Sequence, residues 1–325
     1  EHKDWYQGTA DAVRKQLIEI KEADTKYVLV LAGDHLYRMD YRRFVEYHVE
    51  SNADVTIAVQ PVGQDIVSGL GVLKRETDGR ISRFVEKPKD PTLLEDLKSG
   101  NNPEKPFMAS MGIYVFETDV LIDLLNQPGD DFGKDIIPAA MESRRVMGYV
   151  FDSYWEDIGT IARFFKVNLD MASIDAPFDF YSAVSPIYTH ARYLPASEVH
   201  DSRLNDVLLT DGCRVISSQI NNAVIGLRSH IGPDVTVQDV VIMGADFYET
   251  DPELAENEEK GIPPIGVGAG SFIRRALIDK NARIGKNVTI RAIEDREDED
   301  HENWVSRDGI VIVPKNAVIA DNTVI

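Results

Sequence analysis

The sequence predicts an α/β layered domain followed by a parallel β-helix. Three observations carry this reading: helix and strand patterns alternate over residues 1–173, Pro177, Pro186 and Pro195 mark a connector over 174–195, and from residue 196 aliphatic residues recur at every sixth position. With 325 residues, each half is long enough to bury its own core.

In the first half, Ala10, Val13, Leu17 and Ile20 fall at helical spacing within 10–23. The apolar run from Tyr27 to Ala32 reads as a buried strand ending at Gly33-Asp34. A helix over 41–50 follows, then strands over 54–60, 69–74, 81–85 and 111–116. Turn-rich Lys87-Pro88-Lys89-Asp90-Pro91 and Gly100-Asn101-Asn102-Pro103 separate them. Helical patterns over 118–126, 134–143 and 159–173 close this half.

In the second half, Ile225-Gly226, Ile231-Gly232 and Val237 are spaced by six, as are Ile278, Ile284-Gly285 and Ile290, and again Ile312, Val318 and Val324. Simple strand alternation does not require hits at six in three separate runs, whereas a β-helix places one inward aliphatic per face of each rung. The acidic stretches 246–260 and 294–302 interrupt the repeat and read as solvated loops protruding from a rung.

Composition narrows the function. Asp and Glu number 55 against 35 Lys and Arg, a net charge of −20, which argues against nucleic acid or an anionic membrane as partner. A phosphorylated substrate would therefore need local cations. The single Cys213 excludes an internal disulfide and a multi-cysteine zinc site, and no apolar run approaches the roughly 20 residues that span a bilayer. A reducing, cytoplasm-like compartment is expected.

Three segments offer chemistry. Asp34 stands at the end of a strand, where ligands of open α/β sheets collect; its carboxylate suits Mg²⁺ and equally suits the N-cap of the helix at 40–49. Asp157, in Trp155-Glu156-Asp157-Ile158-Gly159-Thr160, is a second carboxylate beside a glycine that permits close approach, or simply part of a capped helix start. Glu86-Lys87-Pro88 sets a carboxylate for hydroxyls beside an ammonium for a phosphate, although a surface charge pair is the commoner reason for such a dipeptide.

Taken together and in order, these segments closely resemble the glucose-1-phosphate adenylyltransferase (ADP-glucose pyrophosphorylase) family. The motifs are Trp5-Tyr6-Gln7-Gly8-Thr9-Ala10-Asp11-Ala12, Leu31-Ala32-Gly33-Asp34-His35-Leu36-Tyr37, Phe84-Val85-Glu86-Lys87-Pro88, Ala109-Ser110-Met111-Gly112-Ile113-Tyr114, Asp131-Phe132-Gly133-Lys134-Asp135 and the Trp155 segment. In the second half, Met243 to Thr250 and Ile278 to Gly285 look like the plant and cyanobacterial branch. The resemblance implies a Rossmann-like nucleotidyltransferase domain over 1–173, a linker over 174–195 and a left-handed parallel β-helix, regulatory and oligomerising, over 196–325. It implies synthesis of ADP-glucose and diphosphate from ATP and glucose 1-phosphate, for glycogen or starch, in a cytoplasm or plastid stroma.

Carried over, Asp34 and Asp157 match the aspartates that hold Mg²⁺, and Lys87 the lysine on the sugar phosphate. Glu86 matches the carboxylate on sugar hydroxyls, Tyr6, Gly71 and Ser110 further sugar-phosphate contacts, and Asp131, Phe132 and Trp155 pocket lining. Between Ser271 and Arg291 stand Arg274, Arg275, Lys280, Arg283, Lys286 and Arg291 against Asp279 alone, an anion site or else surface charges paired with the loop 294–302. The resemblance favours the anion: Lys280 and Lys315 match lysines that bind a phosphorylated activator, 3-phosphoglycerate in this branch, with Arg274, Arg275 and Arg283 beside them. A homo- or hetero-tetramer is implied.

The sequence departs from the family in having no glycine-rich phosphate loop before Trp5. Gly261 to Gly270 is glycine-dense, but it belongs to the second half and carries prolines where a phosphate cradle needs free amides. The expectation is a chain truncated at its start that binds sugar phosphate but is catalytically inactive alone. The alternatives are a non-catalytic regulatory subunit and a pyrophosphorylase of other base or sugar specificity; a β-helix acyltransferase would lack the first half.

Overall fold

A computed structural model of the chain describes residues 5–295 and 297–325; residues 1–4 and position 296, within the acidic stretch 294–302, lie outside the described residues. By internal contact the chain divides into Glu1–Trp155 and Glu156–Ile325.

The first unit begins with α1 (Thr9–Arg14) and α2 (Leu17–Glu22), two short helices where the spacing predicts one. Strands β1 (Tyr27–Val30) and β2 (His35–Tyr37) and helix α3 (Tyr41–Glu50) follow. Next come β3 (Val55–Val62), β4 (Gly71–Arg75), β5 (Ile81–Glu86), α4 (Pro91–Leu97) and β6 (Phe107–Glu117). Helix α5 (Thr118–Leu125), a π-type turn over Phe132–Ile136, α6 (Ile137–Ser143) and β7 (Val146–Val150) complete the layer, and β8 (Trp155–Asp157) pairs with β2.

The sheet has the path β5-β4-β6-β3-β7, with β1 also on β6. Strand β6 is antiparallel to β1, β3 and β4, and β3 is parallel to β7. Its two faces lie in separate cores: Met108, Tyr114 and Phe116 in one, Phe107, Ala109, Met111, Ile113 and Val115 in the other. Because both faces are covered, the strand reads as a continuous apolar run rather than an alternation. Helix α4 escaped the sequence reading because its N-terminus is a turn signal: Asp90 accepts from the N–H groups of Thr92 and Leu93, at 2.7 and 3.1 Å, and Pro91 opens the first turn.

The second unit opens with α7 (Ile161–Ala172), followed by β9 (Glu198–His200), β10 (Arg203–Leu209), β11 (Arg214–Ile216), β12 (Gln219–Ile225), β13 (His230–Ile231) and β14 (Thr236–Ile242). After α8 (Asp251–Glu259) come β15 (Gly266–Val267), β16 (Phe272–Ile278), β17 (Arg283–Ile284) and β18 (Thr289–Arg291). A hairpin of β19 (Glu299–Asp300) and β20 (Val305–Arg307) leads to β21 (Ile310–Val313) and β22 (Val318–Ile319).

These strands stack in parallel as a β-helix. Ile220 pairs with Val237, Val237 with Ile273 and Ile273 with Ile290, and Ile231, Val267, Ile284 and Ile319 form a second column. Each long strand is bent into two arms at a residue of positive φ, Asp206, Asn222, Asp239 or Arg275, which makes a corner of the coil. Phe165 and Leu169 of α7 pack on the outward Val241, Leu277 and Ile310, so α7 belongs with the coil.

The six-residue reading holds for the first two runs, whose members are buried, and slips by one residue in the third. Val313 and Ile319, not Ile312 and Val318, pair with Ile278 and Ile284; Ile312 faces α7, and Val324 is 78% exposed. The hairpin before β21 resets the phase. The stretch 246–260 is likewise not a plain loop, because it contains α8, opened by a capping box between Thr250 and Glu253.

Candidate active site

The segment around Tyr6 and the segment at Asp131 are far apart in sequence and meet in space. A Cβ on Gly8 would stand 2.3 Å from the Asp130 carbonyl oxygen, so only glycine allows the approach. Ala10 and Asp11 donate to that carbonyl at 2.8 and 3.1 Å, and the Phe132 N–H donates to Thr9 Oγ1 at 3.1 Å. Phe132 is buried, stacked on Tyr114 at 5.3 Å, and Asp131 caps the following turn by accepting from the Lys134 N–H at 3.0 Å.

Glu86 ends β5 opposite Gly71, the first residue of β4. A Cβ on Gly71 would lie 2.8 Å from Glu86 Oε2, and one on Gly133 would lie 3.2 Å from the same oxygen and 3.4 Å from Asp131 Oδ1. The two glycines thus leave a notch around a carboxylate. Burial pushes the Glu86 carboxyl above its ordinary range; Lys87 opposes this and Asp131 reinforces it. Burial pushes the Tyr114 phenol up to about 12, and Ser110 opposes the shift.

Gly71, Glu86, Asp131 and Gly133 therefore lie together, with Ser110 and Phe132 beside Tyr114 and Lys87 next in the chain to Glu86. Lys87 is exposed and holds a left-handed backbone, φ 49°, with its N–H on the Leu70 carbonyl at 3.0 Å. Such a residue costs about 1–2 kcal/mol over the extended form, the kind of strain found at functional turns. Tyr6 is half exposed, its ring 5.0 Å from the Lys15 ammonium.

Asp34 immediately precedes β2, and Asp157 ends β8. Neither aspartate is the helix cap it resembled: α3 is capped by Asp40, which accepts from the Arg42 N–H at 3.0 Å, and α7 by Thr160. Asp157 spends one oxygen on the Gly159 N–H at 2.8 Å, while Asp34 is exposed. A carboxylate with a free oxygen suits a hard divalent cation such as Mg²⁺. Trp155 is buried, its ring edge-on to His35 at 5.2 Å, and its Nε1 has no hydrogen-bond partner among the described residues.

In the second unit the five basic residues expected to share an anion site separate. Lys280 and Lys315 converge on Asp246, at 3.0 and 2.7 Å, and the two ammoniums hold that carboxyl far below its usual range. Arg283 is partly buried elsewhere, on Glu249 and the Pro263 carbonyl, both at 2.7 Å. Arg275 donates to the Gly309 carbonyl at 2.9 Å and faces Glu294 at 3.6 Å, as the paired-loop alternative requires, and Arg274 lies in register beside Gln238 and Arg291. Sequence reasoning missed His35, Asp246 and Glu249; the first is adjacent to Asp34, and the other two stand in motifs already singled out.

An α/β unit followed by a parallel β-helix is what the two units define. Residues 1–174 match the nucleotidyl transferase family, and the chain belongs to that family. Residues 192–324 match the GLGC left-handed parallel beta-helix domain, and the two domains in this order fit an ADP-glucose pyrophosphorylase-like protein. Among the described residues no helix is long and apolar enough to cross a membrane.

Proposed function

We propose that this chain carries the glucose-1-phosphate adenylyltransferase reaction, forming ADP-glucose and diphosphate from ATP and glucose 1-phosphate. The observation that carries the proposal is the close approach of Gly71 and Gly133 to the Glu86 carboxylate, with Asp131 beside it and Lys87 next in the chain. Clustered acceptors suit the hydroxyls of a hexose, and an ammonium at the rim suits its phosphate.

In this reading Lys87 holds the sugar phosphate, Glu86 and Asp131 accept from sugar hydroxyls, and Phe132 and Trp155 exclude water from the reacting groups. The sugar-phosphate oxygen attacks the α-phosphorus of ATP and diphosphate departs, so positioning and charge dispersal carry the rate. Asp34 and Asp157 would hold Mg²⁺, whose charge neutralises the phosphates when bound. Lys280 and Lys315 take a phosphorylated activator such as 3-phosphoglycerate. The setting is a tetramer in a cytoplasm or plastid stroma supplying glycogen or starch synthesis.

A synthesis assay across several nucleoside triphosphates and sugar 1-phosphates, run on the full-length protein because the chain alone is expected to be inactive, tests this. Preference for ATP and glucose 1-phosphate, with turnover reduced on the order of 10²-fold or more in Asp34→Asn and in Asp157→Asn, is the expected result. Binding of glucose 1-phosphate with no synthesis would instead favour a non-catalytic subunit, and preference for another base or sugar would redirect the specificity.

A further inference from the structure

His35 stands directly beside Asp34, and two employments are open to it: a nitrogen ligand to a cation held by Asp34, or a donor that orients that carboxylate. We propose the second, that His35 is a positioning residue whose Nε2–H faces the Asp34 carboxylate and is not a metal ligand. This rests on the reading of Asp34 as a metal-holding carboxylate in the proposed reaction.

The position of the ring proton separates the two. His35 Nε2 lies 3.6 Å from Asp34 Oδ1, and the side chain is only 13% exposed. Nδ1 is buried with no hydrogen-bond partner among the described residues. A neutral imidazole has one N–H and one bare nitrogen. Metal ligation through Nε2 would put the proton on Nδ1, leaving a buried donor with no acceptor and a lone pair facing a carboxylate oxygen. Metal-bound histidines nearly always donate their second N–H to a carboxylate or carbonyl, and no such acceptor stands at Nδ1 among the described residues. With the proton on Nε2, the donor faces the anion and Nδ1 keeps only an unused lone pair. Both comparisons favour the same tautomer.

The ring is also held for this task. Trp155 meets it edge-on, with 5.2 Å between centroids and planes at 85°. On another side Gly112, at φ +64°, brings the backbone of β6 against it; a Cβ there would be 3.4 Å from His35 Cε1. A substituent at Gly112 would be strained by its backbone conformation as well as touch the ring.

The test uses Mn²⁺ as the probe, titrated into the full chain alone and with α,β-methylene-ATP. Electron spin echo spectra are recorded on protein whose histidines are ¹⁵N-labelled, so that imidazole coupling is separable from adenine. The expected result is no ¹⁵N-histidine coupling to Mn²⁺, an affinity for Mn²⁺ in His35→Gln within about twofold of the parent, because the amide N–H replaces the Nε2 donor, and one about tenfold weaker in His35→Ala. A ¹⁵N coupling that vanishes in His35→Gln would overturn the proposal and make His35 a ligand. Equal affinities in the parent and in His35→Ala would overturn it too, leaving the ring as packing alone. Failure of the parent to bind Mn²⁺ under both conditions would overturn the reading of Asp34 as a metal-holding carboxylate, a result distinguishable from the other two.

Discussion

The Lys315 ammonium stands 2.7 Å from Asp246 Oδ2, closing a contact between the last rungs of the β-helix and the start of the first insertion. Lys280 takes the other oxygen at 3.0 Å, so one carboxylate occupies both lysines that the family resemblance assigns to an activator. An activating anion would have to replace Asp246. Asp246→Asn should therefore lower the 3-phosphoglycerate concentration for half-maximal activation about fivefold, and Lys280→Ala or Lys315→Ala should raise it by at least as much with basal turnover retained. Activation curves measured for the three variants check this; three curves superimposed on the parent's would reduce the cluster to a structural ion pair.

Glu86 carries a stability cost that its proposed role would explain. Its folded-state pKa is raised by burial, so the folded protein binds the proton more tightly than the unfolded chain does. The sign follows: no cost is present below the ordinary value of 4.5, stability falls as pH rises from there through the folded value, and the full cost persists above it. Glu86→Gln should remove that fall, so the gap in melting temperature between variant and parent widens in the variant's favour across this window and then levels. The same substitution should raise KM for glucose 1-phosphate. A gap independent of pH would show that the carboxyl is not desolvated.

The phase of the last rungs is open to a direct comparison. Ile319 is buried in the column of Ile284, whereas Val324 is largely exposed. Ile319→Ala should cost about 2–5 kcal/mol of unfolding free energy, and Val324→Ala less than about 0.5 kcal/mol. Denaturant titrations of the two variants measure the difference, and equal losses would restore the six-residue phase read from the sequence.

What was legible in the sequence follows from how local each signal is. The β-helix announces itself because each rung must place an aliphatic inward at a fixed interval, and Ile225, Ile231, Ile284 and Ile290 all do so. The signal failed where an insertion shifted the phase, at Ile312, since periodicity holds no record of the residues looped out. Asp34 and Asp157 were visible as carboxylates but equivocal as ligands, and only the true caps, Asp40 and Thr160, separate the alternatives. The partners of charged groups were the least legible. Nothing local to Arg283 points to Glu249, 34 positions earlier, and nothing local to Lys315 points to Asp246; these pairs exist only because successive coils stack.

The central claim is that the site of Gly71, Glu86, Asp131 and Gly133, with Lys87 next in the chain to Glu86, binds a sugar phosphate. Titration calorimetry with glucose 1-phosphate, on the parent chain and on Glu86→Ala and Lys87→Ala, tests it most directly. The account predicts saturable binding by the parent, weakened about tenfold or more in each variant, since each loses a charged hydrogen-bonding group worth about 1.5–3 kcal/mol. Absence of binding by the folded parent, or equal affinity in all three proteins, would contradict it.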